Sequence, residues 1–94
     1  MNFKHQYIYS KRLGRAGVFK SKLTQGRISV YYPNHIRENG IAEMGQIMIG
    51  RNNVWIKEDQ YNVIAAAEKK RNLKRKTAAV KDLIAHADAI ISLL

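Results

Sequence analysis

Apolar and polar positions alternate along this chain with more than one period, and the clearest pattern lies at its C-terminal end. Val80, Leu83, Ile84, Ala87, Ile90, Ile91 and Leu94 fall on one face of a helix, with Lys81, Asp82 and Asp88 away from the centre of that stripe. Before it, "EDQYNVIAAAEKKRNLKRK" begins with acids and ends with bases, the polarity that complements a helix macrodipole. Thr77 can continue or restart that helix. "QIMI" and "VWI", over residues 46–56, are short apolar runs separated by "GRNN", and this spacing predicts a hairpin because Gly and Asn tolerate positive φ. The N-terminal half is less regular. Val18, Phe19 and Lys22/Leu23 follow a short helical pattern, and "TQGR" reads as a turn. Pro33 suits the first position of a short helix to Asn39, stopped by Gly40. Upstream, Phe3, Tyr7 and Ile8 sit at near-helical spacing while Tyr7 and Tyr9 alternate as in a strand, so the type of that segment stays open.

Length changes the picture by limiting the core. Ninety-four residues suffice for one small domain and an appended helix. The expected organisation is a basic domain over residues 1–76 and an amphipathic C-terminal helix over 77–94. Cysteine is absent, which excludes disulfides and thiolate chemistry. The first twenty residues show no apolar run of a signal peptide, and charges interrupt the C-terminal apolar stretch. A soluble, cytoplasmic protein without membrane contact is expected.

Charge narrows the partners. Seventeen Lys/Arg against seven Asp/Glu give a net charge of +10. Residues 1–27 carry seven basic groups and no acid, residues 28–58 are neutral, and "KKRNLKRK" over 69–76 places six bases in eight positions. Two basic blocks around a neutral middle form the footprint expected of a polyanion binder. Catalysis finds little material. His5, His35 and His86 are dispersed, "GRAG" lacks the context of a phosphate loop, and the few carboxylates show no paired spacing. No enzyme activity, cofactor or metal is expected.

The "GRNN" tip is the sharpest candidate site. In a winged helix-turn-helix, a hairpin beside the recognition helix carries its tip to the minor groove or the phosphates. Arg51, Asn52 and Asn53 would then meet DNA while Ile47, Ile49, Val54 and Ile56 pack inward. The alternative is an ordinary turn whose Gly and Asn serve backbone geometry alone. His35 to Ala66, "HIRENGIAEMGQIMIGRNNVWIKEDQYNVIAA", resembles the second half of phage and plasmid excisionase-type DNA-binding proteins related to the MerR winged-helix group. The phrases that carry the likeness are Ile36-Arg37-Glu38-Asn39-Gly40, Ile49-Gly50-Arg51, Val54-Trp55 and Glu58-Asp59. The resemblance implies an architectural role in DNA recombination or a small transcription regulator.

The expected fold is therefore α+β and mostly helical: a winged helix-turn-helix-like domain with one β-hairpin and a long or bent C-terminal helix. The expected function is non-catalytic binding of duplex DNA. Arg27, Tyr32, His35, Arg37, Arg51, Asn52, Asn53, Lys57, Lys69, Lys70, Arg71, Lys74, Arg75 and Lys76 are the candidate nucleic-acid contacts. Val80, Leu83, Ile84, Ala87, Ile90, Ile91 and Leu94 are a candidate homodimer seam, although the same spacing equally fits a helix folded back on its own domain. Two other readings stand beside this one. A factor acting on a host nucleic-acid machine would use Trp55 and the C-terminal face. An RNA-binding protein would stack bases on Tyr7, Tyr9, Tyr31, Tyr32 or Tyr61.

Overall fold

The computed structural model describes residues 6–50 and 52–94. Strands dominate the first half of the chain: β1 (Tyr7–Ser10), β2 (Arg15–Lys22), β3 (Arg27–Ile36), β4 (Ala42–Met48) and β5 (Asn53–Ile56). Two helices follow, α1 (Glu58–Arg71) and α2 (Ala78–Ser92). The strands form one antiparallel sheet in the order β4-β3-β2-β1-β5. A meander thus builds outward from β1 to β4, and the chain then returns to lay β5 on the free side of β1.

This architecture overturns the mostly helical, winged helix-turn-helix expectation. "VFKSK" belongs to β2 and Leu23 follows its end, and the ladder of β2 with β3 shifts register between Phe19 and Ser21. That irregularity breaks the two-residue alternation and left a pattern that imitates a helix. Pro33 lies inside β3 and does not start a helix. The β3–β4 ladder lapses between Tyr32 and Ile36, so a residue without an N–H costs no ladder bond there. The expected hairpin also dissolves. β4 pairs with β3 and β5 pairs with β1, and only an isolated bridge, Gly50 to Asn53, links the two segments. Two neighbouring apolar strands in sequence are here the two edges of the sheet.

The helical expectations fared differently. α1 starts where the acids lie, with Gln60 Oε1 accepting the Lys57 N–H at 2.9 Å, and ends among the bases. Thr77 restarts the chain as the N-cap of α2, its hydroxyl accepting the Val80 N–H at 3.2 Å. The C-terminal segment is therefore two helices with a break over residues 72–77.

Each face of the sheet has its own core. Ile8, Ile28, Val30 and Tyr32 are buried on the inner face with Phe19, Ile47 and Trp55 packed against them, and the Phe19 and Trp55 rings meet edge to face at 5.6 Å. Gly17 and Gly45 make that packing feasible. A Cβ on Gly17 would stand 2.3 Å from Val30 Cγ1, and one on Gly45 would stand 3.0 Å from the Tyr32 ring. The outer face brings Tyr9, Ala16 and Ile56 against Ile64 and Ala67 of α1 and Ala87 of α2. α1 lies on β1, β2 and the end of β3, while α2 packs chiefly on α1.

Candidate nucleic-acid interface

The basic run over residues 69–76 occupies the end of α1 and the loop that follows. Its position is fixed by the residue just before it, Glu68, whose side chain is only 10% exposed. Glu68 accepts the Ala16 N–H at 2.8 Å and the Asn34 side-chain amide at 3.2 Å, and His35 Nε2 stands 3.6 Å away. Asn34 also donates to the Ala65 carbonyl at 3.0 Å. A single carboxylate thus ties α1 to β2 and β3, and the cations beyond it stand on an anchored helix end.

Those six cations are not equivalent. Arg71 pairs with Asp88 of α2 at 2.8 Å, and Lys76 Nζ donates to the Leu73 carbonyl at 3.1 Å. Lys69, Lys70, Lys74 and Arg75 are exposed and have no acidic partner within ion-pair distance among the described residues. Four uncompensated positive charges at one helix end and loop are well suited to phosphate oxygens.

The N-terminal basic block is divided by the fold. Lys11 and Arg12 lie in the β1–β2 turn. Arg15 is engaged, pairing with Glu43 at 3.0 Å and lying 5.6 Å from the centre of the Tyr32 ring. Lys20, Lys22 and Arg27 flank the β2–β3 turn, where Gln25 and Gly26 both adopt positive φ, 62° and 74°.

The remaining candidate contacts are scattered. Arg51 lies outside the described residues. Asn53 works within its own loop, donating to the Met48 carbonyl at 2.7 Å, and the Asn52 carbonyl accepts the Lys11 N–H at 2.7 Å. The loop and the β1–β2 turn border an open groove of about 880 Å³ lined by Arg12, Leu13, Met48, Ile49 and the two asparagines. Tyr32 is 1% exposed and belongs to the inner core, so it is not a groove-facing residue. Its phenol is raised above the ordinary value by burial, with Arg15 opposing and Glu43 adding to the shift. Arg37 lies beyond β3, its guanidinium 3.4 Å from the Met44 carbonyl. Lys57 precedes α1, a helix of 14 residues, and is therefore about 20 Å from the run at its far end.

The apolar stripe of α2 turns inward. Leu83, Ile84, Ile90, Ile91 and Leu94 pack against the outer-face core, Ala87 is fully buried in it, and Val80 is half-buried. The folded-back arrangement therefore covers much of the face that a homodimer seam would otherwise use.

One feature escaped sequence reasoning. Ladder partners share a face, so Ile56, Tyr7, Val18, Tyr31 and Met44 form one row across all five strands of the outer face. The Tyr7 ring stacks on Tyr61 of α1 at 4.3 Å. Beyond them the face opens: Tyr31 is half-buried, with Lys20 Nζ 5.2 Å from its ring centre, and Met44 is 44% exposed. The two-residue alternation Arg27-Ser29-Tyr31 and Met44-Gln46-Met48 was the available signal, hidden by Pro33 on one side and by the hairpin reading on the other.

Among the described residues, no group of three His, Asp or Glu side chains could hold a metal ion, and no helix is long and apolar enough to cross a membrane. Compared with protein-family models, curated proteins and solved structures, the chain matches none.

Proposed function

We propose that this protein is a non-catalytic nucleic-acid-binding module that holds a phosphate backbone by charge. The observation that carries the reading is the unpaired cluster Lys69, Lys70, Lys74 and Arg75 on the anchored end of α1 and the loop after it, in a chain of net charge +10. Such a charge opposes compaction unless counterions or a polyanion neutralise it. The sequence-reading helix of the winged-helix expectation has no counterpart here, since α1 is laid on the sheet and α2 on α1. Recognition is therefore through the backbone, with little dependence on base sequence.

Binding to a labelled duplex, followed by fluorescence anisotropy over a salt series, tests this. The logarithm of the binding constant should fall linearly with the logarithm of salt concentration, with a slope of about 0.9 per phosphate contacted. Replacing Lys69, Lys70, Lys74 and Arg75 by Gln should flatten that slope by several contacts and leave the circular dichroism unchanged. A slope that survives the fourfold change would remove the cluster from the interface.

A further inference from the structure

Resting on that reading, we infer that the ligand is a single-stranded nucleic acid, and that the open outer face of β3 and β4 is where its bases stack. Tyr31 provides the platform for the first base, and the path continues toward Tyr61 on α1. The strand's phosphates meet Lys20 and Arg27 at one end and Lys69 and Lys70 at the other.

Register and charge together argue for this occupant. On the outer face the row containing Tyr31 is followed along β3 by Ser29 and Arg27, opposite Gln46 and Met48 of β4. Among the described residues, no acid stands on the outer face of β3 or β4. The nearest acid in the ladders, Glu43, is partnered with Tyr32 on the inner face and paired with Arg15. Exposed Lys20 holds its Nζ over the Tyr31 ring, 5.2 Å from its centre, so this face already accepts a cation; a base stacking there takes that place and leaves the ammonium to the adjoining phosphate. The path continues at the other end. A groove of about 390 Å³ between β3 and α1 is lined by Pro33, Tyr61, Asn62, Ala65 and Ala66 and ends at Lys69 and Lys70. Tyr61, which lines that groove, stacks on Tyr7 of the same outer-face row as Tyr31, and burial, then Glu68, Tyr7 and Tyr31, raise its phenol. Aromatic surface flanked by cations at both ends is what a single strand needs and a duplex cannot use, because paired bases keep their faces stacked inside the helix.

The test compares three labelled probes of equal length and mixed sequence: single-stranded DNA, single-stranded RNA and duplex DNA. Both single strands should bind more tightly than the duplex, and the ratio between them reports whether the 2′-hydroxyl matters. Tyr31→Ala should weaken single-strand binding about tenfold and leave duplex binding unchanged, while Tyr31→Phe should retain both. Tyr31→Leu keeps apolar bulk without an aromatic face and should behave as the Ala variant, which separates stacking from loss of fold. A bromouridine-substituted strand should photo-crosslink within β3, located by mass spectrometry. If Tyr31→Leu binds single strands normally, or the crosslink falls outside β3 and α1, the stacking face is wrong. Should the fourfold Gln variant still lose affinity in that case, the basic cluster stands without it. If no nucleic acid binds at all, both readings fall.

Discussion

The outer face of the sheet is two different surfaces built from one pattern. On the β5–β1 side, Ile56 is buried and Tyr7 is stacked beneath Tyr61. On the β3–β4 side, in the same row, Tyr31 is half-buried and Met44 is open to solvent. The residues are similarly apolar, so chemistry does not explain the difference. Dimensions do. A helix about 10 Å across covers roughly two strands spaced about 4.8 Å apart, so a five-stranded sheet needs more than one helix to close a face. The second helix stacks on the first instead of beside it over β3 and β4. An apolar row is left uncovered in this way, with Lys20 over Tyr31.

The largest test of this contrast is to break the covered half. Ile64 is 1% exposed beneath α1, and Ile64→Ala should cost about 2–5 kcal/mol in urea unfolding monitored by circular dichroism. A loss under about 1 kcal/mol would mean that α1 does not seal the face.

Two buried phenols and one half-buried phenol give a second, pH-dependent test. Tyr9, Tyr32 and Tyr61 are all raised above the ordinary value of 10.0, chiefly by burial. As pH rises through 10, the unfolded chain loses these protons before the folded one does. The stability the neutral phenols contribute is therefore complete below that pH and declines above it. The urea midpoint should fall from about pH 10 upward, and phenolate absorbance should rise together with unfolding. A midpoint that stays flat while the phenolate signal appears would show that these rings titrate inside the folded protein without cost.

The smallest effect belongs to the open half. Met44→Gln should change stability by no more than about 0.5 kcal/mol, because the side chain is already exposed. A loss comparable to that of Ile64→Ala would mean that something in solution, such as a second copy, covers β3 and β4.

How far the sequence could be read depended on whether a signal was local. The charge polarity of "EDQY…KKR" and the apolar stripe of 80–94 were legible because a helix closes its hydrogen bonds within a few residues. "TQGR" was legible as a turn for the same reason. The basic cluster at Lys69 to Arg75 was legible as charge, although Arg71 and Lys76 proved to be engaged. Strand pairing was not legible. "QIMI" and "VWI" contain no information that sends one to β3 and the other to β1, and adjacency in sequence argued for the hairpin that does not form.

By itself, then, the sequence determined a helical C-terminal third with the charge polarity of its first part, an apolar stripe that had to be buried, and a cationic chain without cysteine, while leaving open whether Thr77 breaks the helix. Tertiary structure alone decided which strands are neighbours, which tyrosines are core and which remain outside. Tyr32 and Tyr31 are consecutive, yet one is sealed in the inner core over Gly45 and the other stands on the open face beside Lys20. The reason is the two-residue period of a strand. It sends neighbours to opposite faces: the inner face closes on its own strand side chains, Ile8, Ile28, Val30 and Trp55 among them, whereas the outer face is covered only where α1, nearly thirty residues further along the chain, comes to rest.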